Sequence, residues 1–335
     1  MKKYKIGYLG SGAWGFCLAS LLANKGYEVT AWTIEDRVIE SIEQHHEHPK
    51  FKGYPPPANL KFTSNLEEAL VKKDLIVEAV TSAGIRQVFQ KVKETYIPSC
   101  PIVLTSKGIE QNTGLLLSEV AILVLGKEHK NKIGCLSGPT IAAEVLKGLP
   151  TSVVCSAYDK KVMAKIQEIF STPTFRVYRN GDINGVEMGG AIKNIIAIAC
   201  GISDGLGFGD NTKAALMTRG LHEIRRLAET IGCKPMTLNG LTGMGDLCVT
   251  CLSKFSRNYR FGHLIAEGYE PDEAKKQIGM VVEGTYTCLS AMQLAKKAEI
   301  ELPIIEAVYR VIYEDLSPQD AVKLLLQRVA EEEFC

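Results

Sequence analysis

The feature that most constrains this chain is the run GSGAWG at residues 10–15. It follows an apolar stretch, Ile6 to Leu9, and opens a helical stretch from Trp14 to Lys25 that stops at Gly26. Its glycines have the G-x-G-x-x-G spacing. Gly10 permits the tight turn out of a strand, Gly12 lets backbone approach a pyrophosphate, and Gly15 allows close packing of the helix. The free N–H groups at the helix N-terminus then face an anion. A glycine-rich turn can exist without a ligand, but spacing, position and both flanking elements agree here, so a dinucleotide is expected on it. Trp14 belongs either to the core or to the cover over the pyrophosphate.

The rest of the first half alternates short β-branched runs with helical stretches: KIGYL, EVTAW, DLIVEAV, PIVLTS, KIGCLS, TSVVCS and, near residue 178, FRVY. That alternation predicts a mostly parallel, doubly wound, Rossmann-like sheet. The polar stretch from Glu40 to Asn65 carries His45, His46, His48 and three prolines at 55–57, and it reads as an irregular surface excursion. No regular element fixes a cysteine or carboxylate at ligand spacing beside these histidines, so a solvated loop is expected and no metal. After Gly185 long helical segments take over, first VEMGGAIKNIIAIACGI, then others beginning near Asn211, Pro271, Thr285, Ile304 and Pro318. The fold class is therefore α/β, with a Rossmann-like domain over 1–185 and an all-helical domain over 186–335.

With 335 residues, 46% of them hydrophobic, the chain has material for two cores. Lysine plus arginine number 39 against 38 acids, a net charge of +1, so no global field draws in nucleic acid or an anionic membrane. An anionic substrate needs a local basic cluster. The N-terminus lacks the apolar core of a signal peptide, and no apolar run is expected to reach the roughly 20 residues of a membrane span. A cytoplasmic location and no membrane span are expected. The ten cysteines are scattered, which favours reduced thiols over a disulfide scaffold. Cys248 and Cys251 form a CxxC without a second pair and read as packing residues.

The second strand ends at Trp32, and Thr33, Ile34, Glu35, Asp36 and Arg37 follow, where an acid would bind the adenine ribose of NAD or an arginine the 2'-phosphate of NADP. Both signs occur within three residues. The carboxylates come first, which leans the expectation towards NADH.

Val186 to Ile202 is apolar almost all round, and such a helix is normally buried. Lys193 sits in its middle, with Gly189, Gly190, Ile196 and Ala197 as its neighbours one turn away. A mid-helix lysine is usually a snorkelling surface residue, but this helix has no polar face. The amine therefore needs a distant partner or a lowered pKa, and its expected role is that of a general acid/base beside a hydride transfer. Asp246, on the glycine-rich turn LTGMGDL, is the expected partner.

LSKFSRNYRFG gathers Lys254, Ser256, Arg257, Asn258 and Arg260, donors suited to a phosphate or to polar groups of a cofactor, though a solvated helix start would look the same. Lys107 follows the strand ending at Thr105, and Gly138, Pro139 and Thr140 follow the strand ending near Leu136, both at the edge of a parallel sheet where ligands bind.

Taken in order, GSGAWG, TSKGIE, LSGPTIAAEV, GVEMGGAIKNIIAIACGISDG, LTGMGDL, FSRNYRFG and VVEG resemble the bacterial NAD(P)-dependent glycerol-3-phosphate dehydrogenase family, over residues 4 to about 328. The resemblance implies NAD(H) or NADP(H) as cofactor and dihydroxyacetone phosphate and glycerol 3-phosphate as substrates, feeding glycerophospholipid synthesis. It also implies that Lys193 is the proton donor and acceptor. Lys107, Gly138, Thr140, Asp246, Ser256, Arg257 and Asn258 would border the substrate. Ser11, Trp14, Lys107, Ala142, Arg257, Val281 and Glu283 fall at cofactor positions. Two residues depart from the common pattern: Ile34 stands where many members have arginine or histidine, which counts against NADPH, and Thr81 stands where proline is common. The assembly state is open, a homodimer being one candidate. Another dehydrogenase of this plan, acting on a 3-hydroxyacid or a sugar acid, is the nearest rival. A nucleotide-sensing regulator would keep GSGAWG but would not need Lys193 and Asp246 in glycine-rich, apolar settings.

Overall fold

The computed structural model describes residues 3–327. They divide into two compact units. The first takes in the chain through Ser106 and then Leu117–Ile183; the second takes in Lys107–Leu116 and the chain from Asn184 on.

In the first unit the strands are β1 (Lys5–Leu9), β2 (Glu28–Trp32), β3 (Leu60–Thr63), β4 (Leu75–Glu78), β5 (Ile102–Leu104), β6 (Ile133–Ser137), β7 (Thr151–Ala157) and β8 (Phe175–Arg179). They form one sheet in the order β3-β2-β1-β4-β5-β6-β7-β8, parallel throughout except for the antiparallel β6–β7 pair. The helices are α1 (Ala13–Asn24), α2 (Asp36–His45), α3 (Leu66–Leu70), α4 (Ile85–Thr95), α5 (Leu117–Leu125), α6 (Ala142–Leu146) and α7 (Lys160–Phe170). The inner strands β4, β5 and β6 are buried on both faces, which is why they read as apolar runs rather than alternating ones. The order reverses between β1 and β4, so the turn after β1 lies at the switch point of a doubly wound sheet.

The stretch from Glu40 to Asn65 departs from the expected surface excursion. It contains the end of α2 and the edge strand β3, whose residues pair with Val29–Trp32. His45 and His46 are exposed, but His48 is 1% exposed and packs on Phe16. The solvated-loop expectation fails for His48 because its ring has two aromatic neighbours, Phe16 and Phe51, and a carbonyl to bond.

The second unit is helical: α8 (Ile183–Gly205), α9 (Asp210–Glu229), α10 (Pro235–Leu238), a π-turn at Leu241–Gly245, α11 (Asp246–Leu252), α12 (Arg257–Ala266), α13 (Pro271–Ile278), α14 (Glu283–Ala298), α15 (Pro303–Tyr313) and α16 (Pro318–Gln327). The core gathers on α8. Glycine lets neighbouring helices touch it: a Cβ on Gly262 of α12 would lie 2.1 Å from the carbonyl oxygen of Ile198, and one on Gly201 would lie 2.0 Å from that of Tyr259. At 23 residues α8 is long and apolar enough to cross a membrane, which corrects the expectation that nothing reaches span length. Its apolar window is wholly buried, as befits a core helix.

A single cut after residue 185 would assign 107–116 to the first unit. Instead Ile109 and Leu116 join the helical core, and the Ser290 hydroxyl donates to the Ile109 carbonyl at 3.1 Å. Lys107 thereby belongs to the helical unit.

Candidate active site

The site in the second unit begins with close backbone approach. A Cβ on Gly189 of α8 would lie 2.8 Å from the carbonyl oxygen of Thr242, and one on Gly243 would lie 1.9 Å from that of Leu238. Glycine at 189 lets the π-turn 241–245 lie against α8, where the Thr242 hydroxyl donates to the Val186 carbonyl at 2.7 Å, and glycine at 243 lets the same turn close on the end of α10. A π-turn is rare and tends to mark functional positions. Here it delivers Asp246, the first residue of α11, to the side of α8 that carries Lys193.

The Lys193 ammonium donates to Asp246 Oδ1 at 2.5 Å and to Thr250 Oγ1 at 2.6 Å, and Lys107 donates to Asp246 Oδ2 at 2.5 Å. Asp246 is fully buried, and the Lys107 side chain is 18% exposed. Thr250 passes its own proton to the Asp246 carbonyl one turn back, at 2.6 Å, which leaves its oxygen to accept from Lys193. Burial pushes the Lys193 amine down from 10.5 to about 8, against the attraction of Asp246, while Lys107 pushes it further down. Both oxygens of Asp246 thus accept from lysines, and two of the three Lys193 donors are in use. The expected Lys193–Asp246 pairing is present. Thr250 and the double use of Asp246 by Lys107 were not foreseen; the i+4 spacing of Thr250 from Asp246 was the available signal.

One residue along α8, Asn194 accepts from the Asn258 amide at 2.9 Å, and Asn258 Oδ1 accepts from the backbone N–H of Gly284 at 2.9 Å. Asn258 so ties α8, α12 and α14. Ser256 caps α12 by accepting from the Tyr259 N–H. Arg257 donates to the Val281 carbonyl at 2.7 Å, and Glu283 lies close enough to favour its charged form against the burial that disfavours it. Ser256, Arg257, Asn258, Val281 and Glu283 thus come together. Lys254 and Arg260 do not join them: both are exposed and line a separate shallow cleft with His263 and Glu267.

In the first unit the turn has the expected form. Gly10 holds φ +98°, and a Cβ there would strike the carbonyl of Ala79 at 2.7 Å. A Cβ on Gly15 would lie 2.3 Å from the Gly10 carbonyl oxygen, which is the close helix packing anticipated. Gly12, by contrast, faces open space, and no side chain caps α1. That uncapped terminus, with room at Gly12 and no acid in the first turn, fits a pyrophosphate. Ser11 is buried, and Trp14 is half-buried against the core. Gly138 takes φ +142° where it passes Val153, and Thr140 donates to the Gly138 carbonyl at 3.3 Å. Ala142 opens α6, and its carbonyl accepts from Cys17 of α1. After β2, Arg37 donates twice to Glu35, at 2.6 and 2.9 Å, while Ile34 is 73% exposed.

Comparison with known proteins follows the same division. A family model described as the N-terminus of NAD-dependent glycerol-3-phosphate dehydrogenase matches residues 5–163, and one described as its C-terminus matches residues 182–323. The chain is 57% identical over 329 residues to glycerol-3-phosphate dehydrogenase [NAD(P)+] of Protochlamydia amoebophila, covering 98% of this chain and 99% of the relative. It is likewise 57% identical over 332 residues to the protein of that name from Chlamydia pneumoniae, covering 99% of each. Among solved structures, the glycerol-3-phosphate dehydrogenase of Coxiella burnetii superposes with a TM-score of 0.92 at 39% identity, over 97% of this chain and 99% of that one.

Proposed function

Since the chain belongs to the NAD-dependent glycerol-3-phosphate dehydrogenase family, we propose that Lys193 is the general acid/base of its reaction, with Asp246 and Thr250 holding the amine in place. When bound, NAD(P)H supplies the hydride to the C2 carbonyl of dihydroxyacetone phosphate, and sn-glycerol 3-phosphate is the product, a precursor suited to glycerophospholipid synthesis. The observation that carries the reading is a buried amine whose proton leaves near pH 8 and whose third N–H is not spent on Asp246 or Thr250.

In reduction the charged amine donates a proton to the oxygen that gains negative character at C2; in oxidation the neutral amine takes it back. A donor of this kind is worth about 100-fold to 10,000-fold in rate. Asp246 accepts from Lys107 and Lys193 at once, so it fixes both ammonium groups at the place where an anionic substrate would meet them. Arg257 and the Asn258 amide offer charged and neutral donors to the phosphate, with the helix start at Ser256 beside them. In the first unit, the backbone N–H groups of the glycine turn hold the dinucleotide.

Purified protein is expected to oxidise NADH or NADPH only when dihydroxyacetone phosphate is supplied, and Lys193→Ala to lose most turnover while still binding the reduced cofactor. Full activity in Lys193→Ala removes the lysine from the mechanism. Reduction of a different keto compound in place of dihydroxyacetone phosphate removes the substrate.

A further inference from the structure

The chain between α2 and β3 folds back onto the dinucleotide turn through one side chain. His48 Nε2 lies 2.8 Å from the carbonyl oxygen of Ser11, the second residue of GSGAWG. Its ring stacks on Phe16 of α1, with centroids 4.6 Å apart and planes 26° apart. On the other side of the ring, Nδ1 accepts the backbone N–H of Lys50 at 3.2 Å. An Nδ1 that accepts places the proton of a neutral imidazole on Nε2, so the ring donates to Ser11 and both nitrogens are satisfied by one tautomer. Burial favours that neutral form by pushing the His48 pKa down.

The bond acts on more than Ser11. The Ser11 carbonyl and the Gly12 N–H belong to one planar trans peptide and point in opposite directions. A donor that grips the carbonyl on one side therefore turns the Gly12 N–H to the other. Glycine offers little resistance to rotation of that peptide, and a Cβ built on Gly12 meets nothing within 4 Å, so no side-chain packing at residue 12 opposes it. We propose that His48 is a positioning residue for the dinucleotide: it locks the Ser11–Gly12 peptide in the orientation that presents the Gly12 N–H to the pyrophosphate. The proposal rests on the reading of GSGAWG as the cofactor turn.

The test is equilibrium binding of NADH, followed by its fluorescence, with steady-state kinetics and thermal unfolding alongside. His48→Phe keeps a ring on Phe16 and removes the donor, and His48→Gln returns an N–H near the position of Nε2. His48→Phe should raise the Kd for NADH about tenfold, about 1.4 kcal/mol and the size of one well-placed hydrogen bond. KM for NADH should rise with it while kcat and KM for dihydroxyacetone phosphate stay near wild type, and His48→Gln should recover most of the loss. His48→Leu is a second donor-less variant should the phenylalanine fail to fold. A folded His48→Phe or His48→Leu with wild-type Kd overturns the proposal, and so does a His48→Gln as weak as the donor-less variants. A wild-type protein that binds neither NADH nor NADPH removes the cofactor turn itself, which keeps the two failures apart; should it bind NADPH alone, the same comparison is made with NADPH.

Discussion

Replacing Lys193 by methionine should give a protein that is inactive yet more stable at neutral pH. Methionine keeps the long apolar stem and deletes the charge. The wild-type amine titrates near 8 rather than 10.5, with the attraction of Asp246 already included, so keeping it charged in the fold costs about 3 kcal/mol. The variant gives up the bonds to Asp246 and Thr250, about 1 kcal/mol each, while Asp246 retains Lys107 as counter-charge. The balance is a gain of about 1 kcal/mol, or a Tm higher by about 2–4 °C, in line with buried ion pairs that are bettered by apolar residues of similar volume. The pH dependence supplies the check. Below pH 8 the amine is charged in both folded and unfolded states and the full cost is present. As pH rises from about 8 to 10.5 the folded state sheds the proton while the unfolded state keeps it, so wild-type stability climbs. The advantage of Lys193→Met should shrink as pH enters that window and reverse within it, about one unit above pH 8. Calorimetric unfolding of both proteins at several pH values reads this directly. A variant that melts below wild type at pH 7, or a difference that ignores pH, refutes the reasoning.

The kinetics should carry the same titration. For reduction of dihydroxyacetone phosphate, kcat/KM should fall as pH rises through about 8, because the acid form of Lys193 is lost, and for oxidation of glycerol 3-phosphate it should rise over the same range; flat profiles exclude Lys193 as the titrating group. Arg257→Ala should raise KM for the phosphorylated substrate more than it lowers kcat, by losing charge-assisted bonds; an unchanged KM moves the phosphate elsewhere. Glu35→Gln releases Arg37 from its two bonds and should improve kcat/KM for NADPH relative to NADH by about threefold to tenfold, the size of a charge-assisted contact. A constant ratio means that Arg37 does not reach a 2'-phosphate.

Much of this molecule was readable residue by residue. The β1 turn and α1 were legible because three glycines with fixed spacing admit few backbone paths, and Lys193 because an apolar helix with one lysine has nowhere to hide it. Asp246 followed from the glycines around it, which are needed wherever a turn must lie flat on a helix. What stayed hidden depends on contacts distant in sequence. β3 is only four residues, Leu60–Thr63, at a sheet edge, too short for periodicity to reveal. His48 looked like one of three solvent histidines, and only the arrival of Phe16 from 32 positions earlier makes it a core residue. The membership of residues 107–116 in the helical unit rests on Ile109 and Leu116 reaching side chains beyond residue 184, a pairing that no local pattern encodes. Thr250 fell between these cases: its spacing from Asp246 was visible, but its role needed Lys193 beside it.

The burial of α8 also has a price during synthesis. As it emerges from the ribosome, a 23-residue helix apolar enough to span a bilayer has none of the later helices to cover it, since Gly220, Gly262 and Gly284, which close on Ile196, Ile198 and Asn194, are still untranslated. Until they arrive, the apolar surface of α8 lacks the partners that bury it in the finished fold. A charged Lys193 near the midpoint of that helix would oppose entry into lipid, at a cost of about 3 kcal/mol on an insertion scale. Lys193→Leu would remove that charge along with the proposed proton donor, and the nascent chain would be the first place to look for the difference.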